Sequence, residues 1–279
     1  MPAPDAFRMS SPWHLGAHLW RHRELAWQFM WREIHLRHRG SRLGPVWALV
    51  TPLSMLALYY FVFGVIYEQK LGTLPGESRF DFALALFLGL SLFHVLSETI
   101  GWAPALIANN PNFVKKVVFP LEILPLAKLG DAAFHLGVAL VLVAGGSVFG
   151  TTGLGWQWLW LPVLLLPLLL LALGVAWALA ALGVFLRDIT QITPFVNTAI
   201  LFASAIFYAP ERVRAVPLAW EILRFNPLLQ IVDIARHVLL WHDPMPWARL
   251  GYVYAVGVAA LLAGGFLFGA LRRSFAEVI

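Results

Sequence analysis

Residues 31–52 read W-R-E-I-H-L-R-H-R-G-S-R-L-G-P-V-W-A-L-V-T-P, and this stretch decides the solvent of the chain. A basic, tryptophan-bearing segment runs into Gly44-Pro45, and from Leu43 no charged residue appears before Glu68. A helix lying on a surface is joined directly to a run long enough to cross a bilayer, which takes about 20 apolar residues. Pro45 suits the first turn of that run, where its missing N–H costs nothing. Upstream, Leu19 to His38 reads as an amphipathic helix, with Trp20, Trp27, Trp31 and Ile34 on one stripe and Glu33 and Arg37 at pairing distance i,i+4.

Composition agrees. The chain of 279 residues is 60% hydrophobic and 13% charged with mean hydropathy +0.74, more apolar surface than a water-soluble fold can hide. Residues 1–30 carry charges throughout, so no secretory leader is expected there. With no cysteine, thiol catalysis and disulfides are excluded. The net charge of +5 reflects basic residues at membrane ends rather than nucleic-acid binding.

Six spans are predicted: Pro45–Tyr67, Phe82–Ile107, Leu124–Phe149, Trp158–Phe185, Ile189–Tyr208 and Leu250–Leu271. The third and fourth are divided at Gly150–Gly155, because no charge lies between Asp131 and Arg187 and the stretch is too long for one crossing. The expected division is residues 1–44 as a cytoplasmic segment with the interface helix and 45–279 as the permeating domain. Between spans five and six, about 211–245, a short helix from Pro217 and a second opened by Asn226-Pro227 are too charged to span, and read as a re-entrant or interfacial pair on the outer side. Asp233 stands at i,i+3 from Arg236 and i,i+4 from His237, which predicts local pairing. The fold class is therefore an all-α integral membrane protein.

An inner N-terminus puts Arg8, Arg21, Arg23, Arg32, Arg37, Arg39, Arg42, Lys115, Lys116, Arg187, Arg272 and Arg273 inside. It leaves Lys70, Arg79, Arg212, Arg214, Arg224, Arg236 and Arg249 outside. The majority favours cytoplasmic termini, although the outer segment is itself charged.

Catalytic patterns are missing: no G-x-x-x-x-G-K loop, no H-E-x-x-H and no G-x-S-x-G. His14, His18 and His22 have ligand-like spacing, yet fit neutral histidines on an interface segment. Arg187-Asp188 reads as a local pair or a gating element. Glu98, inside the second span, is either a structural pair or part of a conduit. Tyr59, Tyr60 and Phe63 in the first span, and Phe202, Phe207 and Tyr208 in the fifth, are packing aromatics or a smooth lining for sugar faces. Tyr59 and Phe63, at i,i+4, are the pair that can share a face, with Glu98, Phe202 and Phe207 as further lining candidates.

The chain resembles the membrane subunits of type-2 ABC exporters, in particular the permeases that export lipid-linked O-antigen, capsule or teichoic acid. The resemblance rests on Arg32-Glu33-Ile34, Arg37, Arg39, Ser41, Leu43-Gly44, Trp47 and Pro52. It continues through the loop Asn109 to Glu122, Arg187-Asp188-Ile189, Asn226-Pro227-Leu228 and the Phe275-Ala276-Glu277 tail. His38 stands where such chains often have tyrosine. The resemblance implies a homodimer with two copies of a separate ABC ATPase that binds the ATP and magnesium, so that no cofactor sits on this chain, and a lipid-linked polysaccharide as cargo in a bacterial inner membrane. It implies contact with the ATPase through Arg32, Glu33, Asn109, Asn110, Pro111, Lys115 and Lys116, a dimer seam along spans one and five, and an outer gate including Asn226, Asp233 and Arg236. Arg37, Arg39 and Arg42 can receive a phosphate headgroup bidentately, or simply anchor the chain to anionic lipid. A secondary transporter and a membrane-embedded glycosyltransferase remain as alternatives; neither an internal repeat nor an acidic catalytic cluster supports them.

Overall fold

The computed structural model describes residues 20–37, 39–68, 77–115 and 119–279. Helix α1, Arg23–Arg37, leads to the first span, Gly44–Ile66, which is built from a 3-10 turn containing Pro45, helix α2 (Trp47–Tyr59) and a π-helical end, Tyr60–Ile66. Next come α3 (Arg79–Leu106), α4 (Pro111–Lys115), α5 (Ile123–Ser147) and α6 (Leu161–Phe185), the last preceded by a 3-10 segment from Trp156. Helix α7 (Ile189–Ala203) precedes three short helices, α8 (Pro210–Arg214), α9 (Pro217–Leu223) and α10 (Pro227–Ala235). A π turn, Arg236–Leu240, extends α10, and α11 (Trp247–Leu271) and α12 (Phe275–Val278) close the chain.

Helix α3 is the axis: most of its 28 residues are buried, and α5, α6 and α7 pack around it. Its start is fixed by a capping box in which Ser78 and Asp81 exchange side-chain and backbone hydrogen bonds. Asp81 also accepts from the Thr151 N–H and hydroxyl, tying that end to the glycine-rich turn. Helices α6 and α11 approach closely because a Cβ at Gly264 would overlap the Gly174 carbonyl, a small-residue contact that serves where lipid removes the hydrophobic drive to associate.

Among the described residues, five helices are long and apolar enough to cross a bilayer. The predicted fifth span is shorter than expected: α7 has 15 residues, about 22 Å of rise. Helix geometry ends at Ser204, Ala205 adopts φ 51°, and the apolar Ile206-Phe207-Tyr208 continues as non-helical chain. The turn at Gly150–Gly155 and the helices beginning at Pro217 and Pro227 stand where the sequence put them, and a further short helix, Pro210–Arg214, precedes them. Asn226 caps α10, its Oδ1 accepting from the N–H groups of Leu228 and Leu229.

Two faces follow from the connections. Helix α1, the α3–α5 loop and the end of α11 share one, joined by Arg272 to Glu122 at 3.0 Å and by ring contacts of Phe29 with Phe113 and Phe119. The opposite face holds the Thr151 turn, the outer helices and the start of α11, with Thr152 donating to the Leu240 carbonyl and Gln157 to that of His242.

Candidate functional site

Helix α1 uses only part of the predicted stripe for packing: Ile34 is buried and Trp31 meets the Phe134 ring at 6.2 Å. Trp20 and Trp27 are 70% and 58% exposed, whereas Ala26, Phe29 and Ile34 turn inward and Met30 fills the space left by Gly130. The ionic groups on this inward side set its position. Arg37 makes a two-pronged contact with Glu98 of α3, at 2.7 and 3.2 Å, and a third bond at 3.1 Å to Asp131 of α5. One turn earlier, Glu33 accepts from Arg32 at 2.8 Å and pairs with Lys128 of α5 at 2.9 Å. The predicted i,i+4 pair between Glu33 and Arg37 is thus replaced by long-range partners, because both side chains point at α5 rather than along the surface of α1. Burial raises the Glu33 pKa, but the bonds from Arg32 and Lys128 outweigh it and hold the carboxyl below its ordinary 4.5.

Arg37 is the floor of a cavity of about 320 Å³ between the first span, α3 and α5. Glu98, His94 and His135 surround its charged end, and Met55, Phe87, Leu90 and Leu136 line the apolar part. His135 sits against Asp131, at 2.9 Å from its backbone oxygen and 3.3 Å from its carboxylate. Glu98 is thus paired with Arg37 and also lines this cavity. Of the three arginines expected at an anion-receiving site, Arg37 is committed to two carboxylates, while Arg39 and Arg42 are exposed at the turn before the first span.

The aromatic pair in the first span separates. Tyr59 lines the cavity, whereas Phe63 lies 6.1 Å from Phe207 and 6.2 Å from Phe82. The π-helical turn beginning at Tyr60 bonds i→i+5 and breaks the i,i+4 register on which a shared face depends. Phe202 is exposed and stacks at 6.1 Å on Phe207, so Phe63, Phe207 and Phe202 form one ring cluster between the first span and the end of α7. Tyr60 packs on Phe80.

In the α3–α5 loop, Asn110 bonds back to the Leu106 carbonyl, Pro111 opens α4 and Lys115 ends it. Asn109 closes on the Ala105 carbonyl through its own N–H. Lys116, His14 and His18 lie outside the described residues. Arg32 stacks on Phe29 at 4.4 Å and reaches the Phe113 ring at 6.0 Å, so α1 and this loop form one surface.

At the opposite face the predicted Asp233–Arg236 pair is corrected. Asp233 pairs with Arg249 at 2.5 Å, with His237 at 3.6 Å. Arg236, 1% exposed, donates instead to the carbonyls of Ala85, Ala205 and Ile206. It thereby satisfies the acceptors freed where α7 stops, and Gly89 makes room for it, since a Cβ there would lie 2.7 Å from a guanidinium nitrogen. Asn226 donates to the Ala203 carbonyl, so both residues hold the end of α7.

Sequence reasoning missed Lys128, Asp131 and Glu122. Lys128, Asp131 and His135 do carry a signal: i, i+3 and i+7 spacing puts three ionisable groups on one side of an apolar span.

A profile of the ABC-2 type transporter family matches residues 24–240. The chain is 27% identical over 263 residues to the O-antigen export system permease protein RfbA of Myxococcus xanthus, covering 94% of this chain and 97% of that protein. It is 24% identical over 255 residues to the protein of the same description from Klebsiella pneumoniae, with 89% and 92% covered. It is 25% identical over 243 residues to the polysialic acid transport protein KpsM of Escherichia coli, with 85% and 89% covered.

Proposed function

We propose that this chain, which belongs to the ABC-2 type transporter family, is the membrane subunit of an ATP-driven exporter of a lipid-linked polysaccharide. The carrying observation is that the matches to an O-antigen export permease and a polysialic acid transport protein run over nearly the whole length of both partners. Two copies of this chain form the conduit and two copies of a separate ABC ATPase bind ATP and magnesium. The α1 face is cytoplasmic, with both termini on it. The combined surface of α1 and the α3–α5 loop, including Arg32, Glu33, Asn109, Asn110, Pro111 and Lys115, is the seat of the ATPase. Supporting this reading are the ion pairs that join α1 rigidly to α3 and α5, so that a push on α1 reaches both spans.

Arg39 and Arg42 receive the anionic linkage of the cargo, with Arg37 as the anchored residue beside them. Lysine at 39 and 42 keeps charge but loses bidentate geometry, so an Arg39→Lys, Arg42→Lys variant lowers export if headgroup recognition operates and leaves it intact if these residues only anchor the chain. The overall test is export in vesicles holding this chain with its ATPase. Polymer translocation should require ATP hydrolysis. Translocation driven by an ion gradient without the ATPase would overturn the assignment.

A further inference from the structure

The outer segment carries more positive charge than the orientation rule favours, and the fold disposes of only part of it. Arg236 is consumed by carbonyls and Arg249 by Asp233 and Gln230. Arg214 and Arg224 are half-exposed, and with Arg249 they line a groove of about 490 Å³ between α9, α10 and α11. Trp220, Phe225 and Tyr252 complete the walls, and no carboxylate lines it. The acidic partners of the arginines sit outside: Glu211 at 3.7 Å from Arg214 and Glu221 at 2.6 Å from one nitrogen of Arg224. Each guanidinium has five N–H donors, and these contacts occupy few of them.

We propose that this groove binds the phosphodiester headgroup of an anionic phospholipid in the leaflet at that face. Three observations select this ligand. First, the ring faces are occupied by arginine: the Arg214 guanidinium lies 5.0 Å from the Trp220 centroid and that of Arg224 4.7 Å from Phe225. The rings hold the cations in place and are not free to stack on sugars. Second, the groove lies at headgroup depth, because Trp160 and the exposed Trp247 pack edge to face at 5.3 Å just beside it, where an aromatic belt belongs. Third, α9 and its flanks leave Val216, Leu218, Ile222 and Phe225 uncovered, an apolar apron for acyl chains next to a cationic pocket. Tyr252 fixes the geometry by donating to the Phe225 carbonyl at 2.6 Å.

The placement in the outer leaflet rests on the orientation proposed above; binding itself does not, and export is read separately. The test is titration of the delipidated complex of this chain with its ATPase, using phosphatidylglycerol and phosphatidylcholine, with bound lipid counted by native mass spectrometry. Wild type should prefer phosphatidylglycerol. The Arg214→Gln, Arg224→Gln double variant should bind it about 30-fold more weakly, from roughly 1 kcal/mol per cation near the surface. Arg214→Lys with Arg224→Lys should keep most of the affinity, and Arg212→Gln, an exposed arginine outside the groove, all of it. Equal affinity for the two lipids, an unaffected Gln double variant, or an equal loss in Arg212→Gln would overturn the site. Full competition by millimolar glycerol 3-phosphate would show a soluble-phosphate site and overturn the lipid, as would displacement by an acidic oligosaccharide.

Discussion

Replacing Glu98 with glutamine should loosen α1 at its C-terminal end, and the size of the effect follows from the geometry. Arg37 holds Glu98 with two bonds and Asp131 with one, its side chain 38% exposed and that of Glu98 36%. A fully exposed pair contributes about 0.2–1 kcal/mol and a charged hydrogen bond in a protected site about 1.5–3. Half-exposed and two-pronged, Arg37–Glu98 falls between, at about 1–2 kcal/mol. Arg37→Gln should cost more than Glu98→Gln, because it removes the partner that the Glu98 and Asp131 carboxylates share. Amide hydrogen exchange of α1 in the assembled complex measures this local opening directly. Exchange between Ile34 and Arg37 should accelerate about 5- to 30-fold in Glu98→Gln, the equivalent of that energy. The Arg37→Gln, Glu98→Gln double variant should be less than the sum of the singles, since both remove the same contact. Additive singles, or an α1 that exchanges at the wild-type rate in Arg37→Gln, would refute the view that this ion cluster rather than apolar packing fixes the end of α1.

Gly89→Ala should displace the Arg236 guanidinium, because the new methyl would sit 2.7 Å from its nitrogen; the complex should melt several degrees lower, and Arg236→Lys should do the same by losing bonds to two of three carbonyls. Gly264→Leu should separate α6 from α11 and abolish stable insertion, read as loss of protease-resistant protein in membranes. The Glu33 carboxyl has a folded pKa below its ordinary 4.5, so its contribution is fully present above about pH 4.5 and is lost as pH falls through the lower folded value. Spin-label distances between α1 and α5 should therefore broaden only in that acidic window, and Glu33→Gln should show the broadening already at neutral pH.

The sequence carries the spans because hydrophobic length is local information: the limits of five of the six fall within about three residues of those predicted, as element boundaries commonly do. The exception is also physical. From Ile189 to Tyr208 the chain is apolar throughout, and composition alone cannot show that the last residues leave the helix. The partner that holds the chain there is Arg236, about 30 residues further on, whose guanidinium donates to the carbonyls of Ala205 and Ile206. The same limit governs charge pairing. The i,i+4 rule finds Asp233–His237, which forms at 3.6 Å, and Glu33–Arg37, which does not; the shorter contacts go to Lys128, Glu98, Asp131 and Arg249, brought in by helices 16 to 95 positions away. The π turn after Tyr59 left no mark in composition, so the split between Tyr59 and Phe63 was not legible. The cap at Asn226 was, because a cap depends on residues two and three positions away.

Pairing also changes what the charge distribution means. Counted in the sequence, the outer segment weakens the case for a cytoplasmic α1 face. Arg236 and Arg249, however, are fastened inside the fold, and Arg79 pairs with Glu68. Among the described residues, Arg212 alone on that face has no carboxylate partner, whereas on the α1 face Arg21, Arg39, Arg42, Lys115, Arg187 and Arg273 have none. A cation neutralised within a nascent helical hairpin is a weaker signal to the membrane than one left to face lipid phosphate, because its field is cancelled within a few ångströms. More of the cations without a carboxylate partner lie on the α1 side, which agrees with the cytoplasmic placement of both termini proposed above.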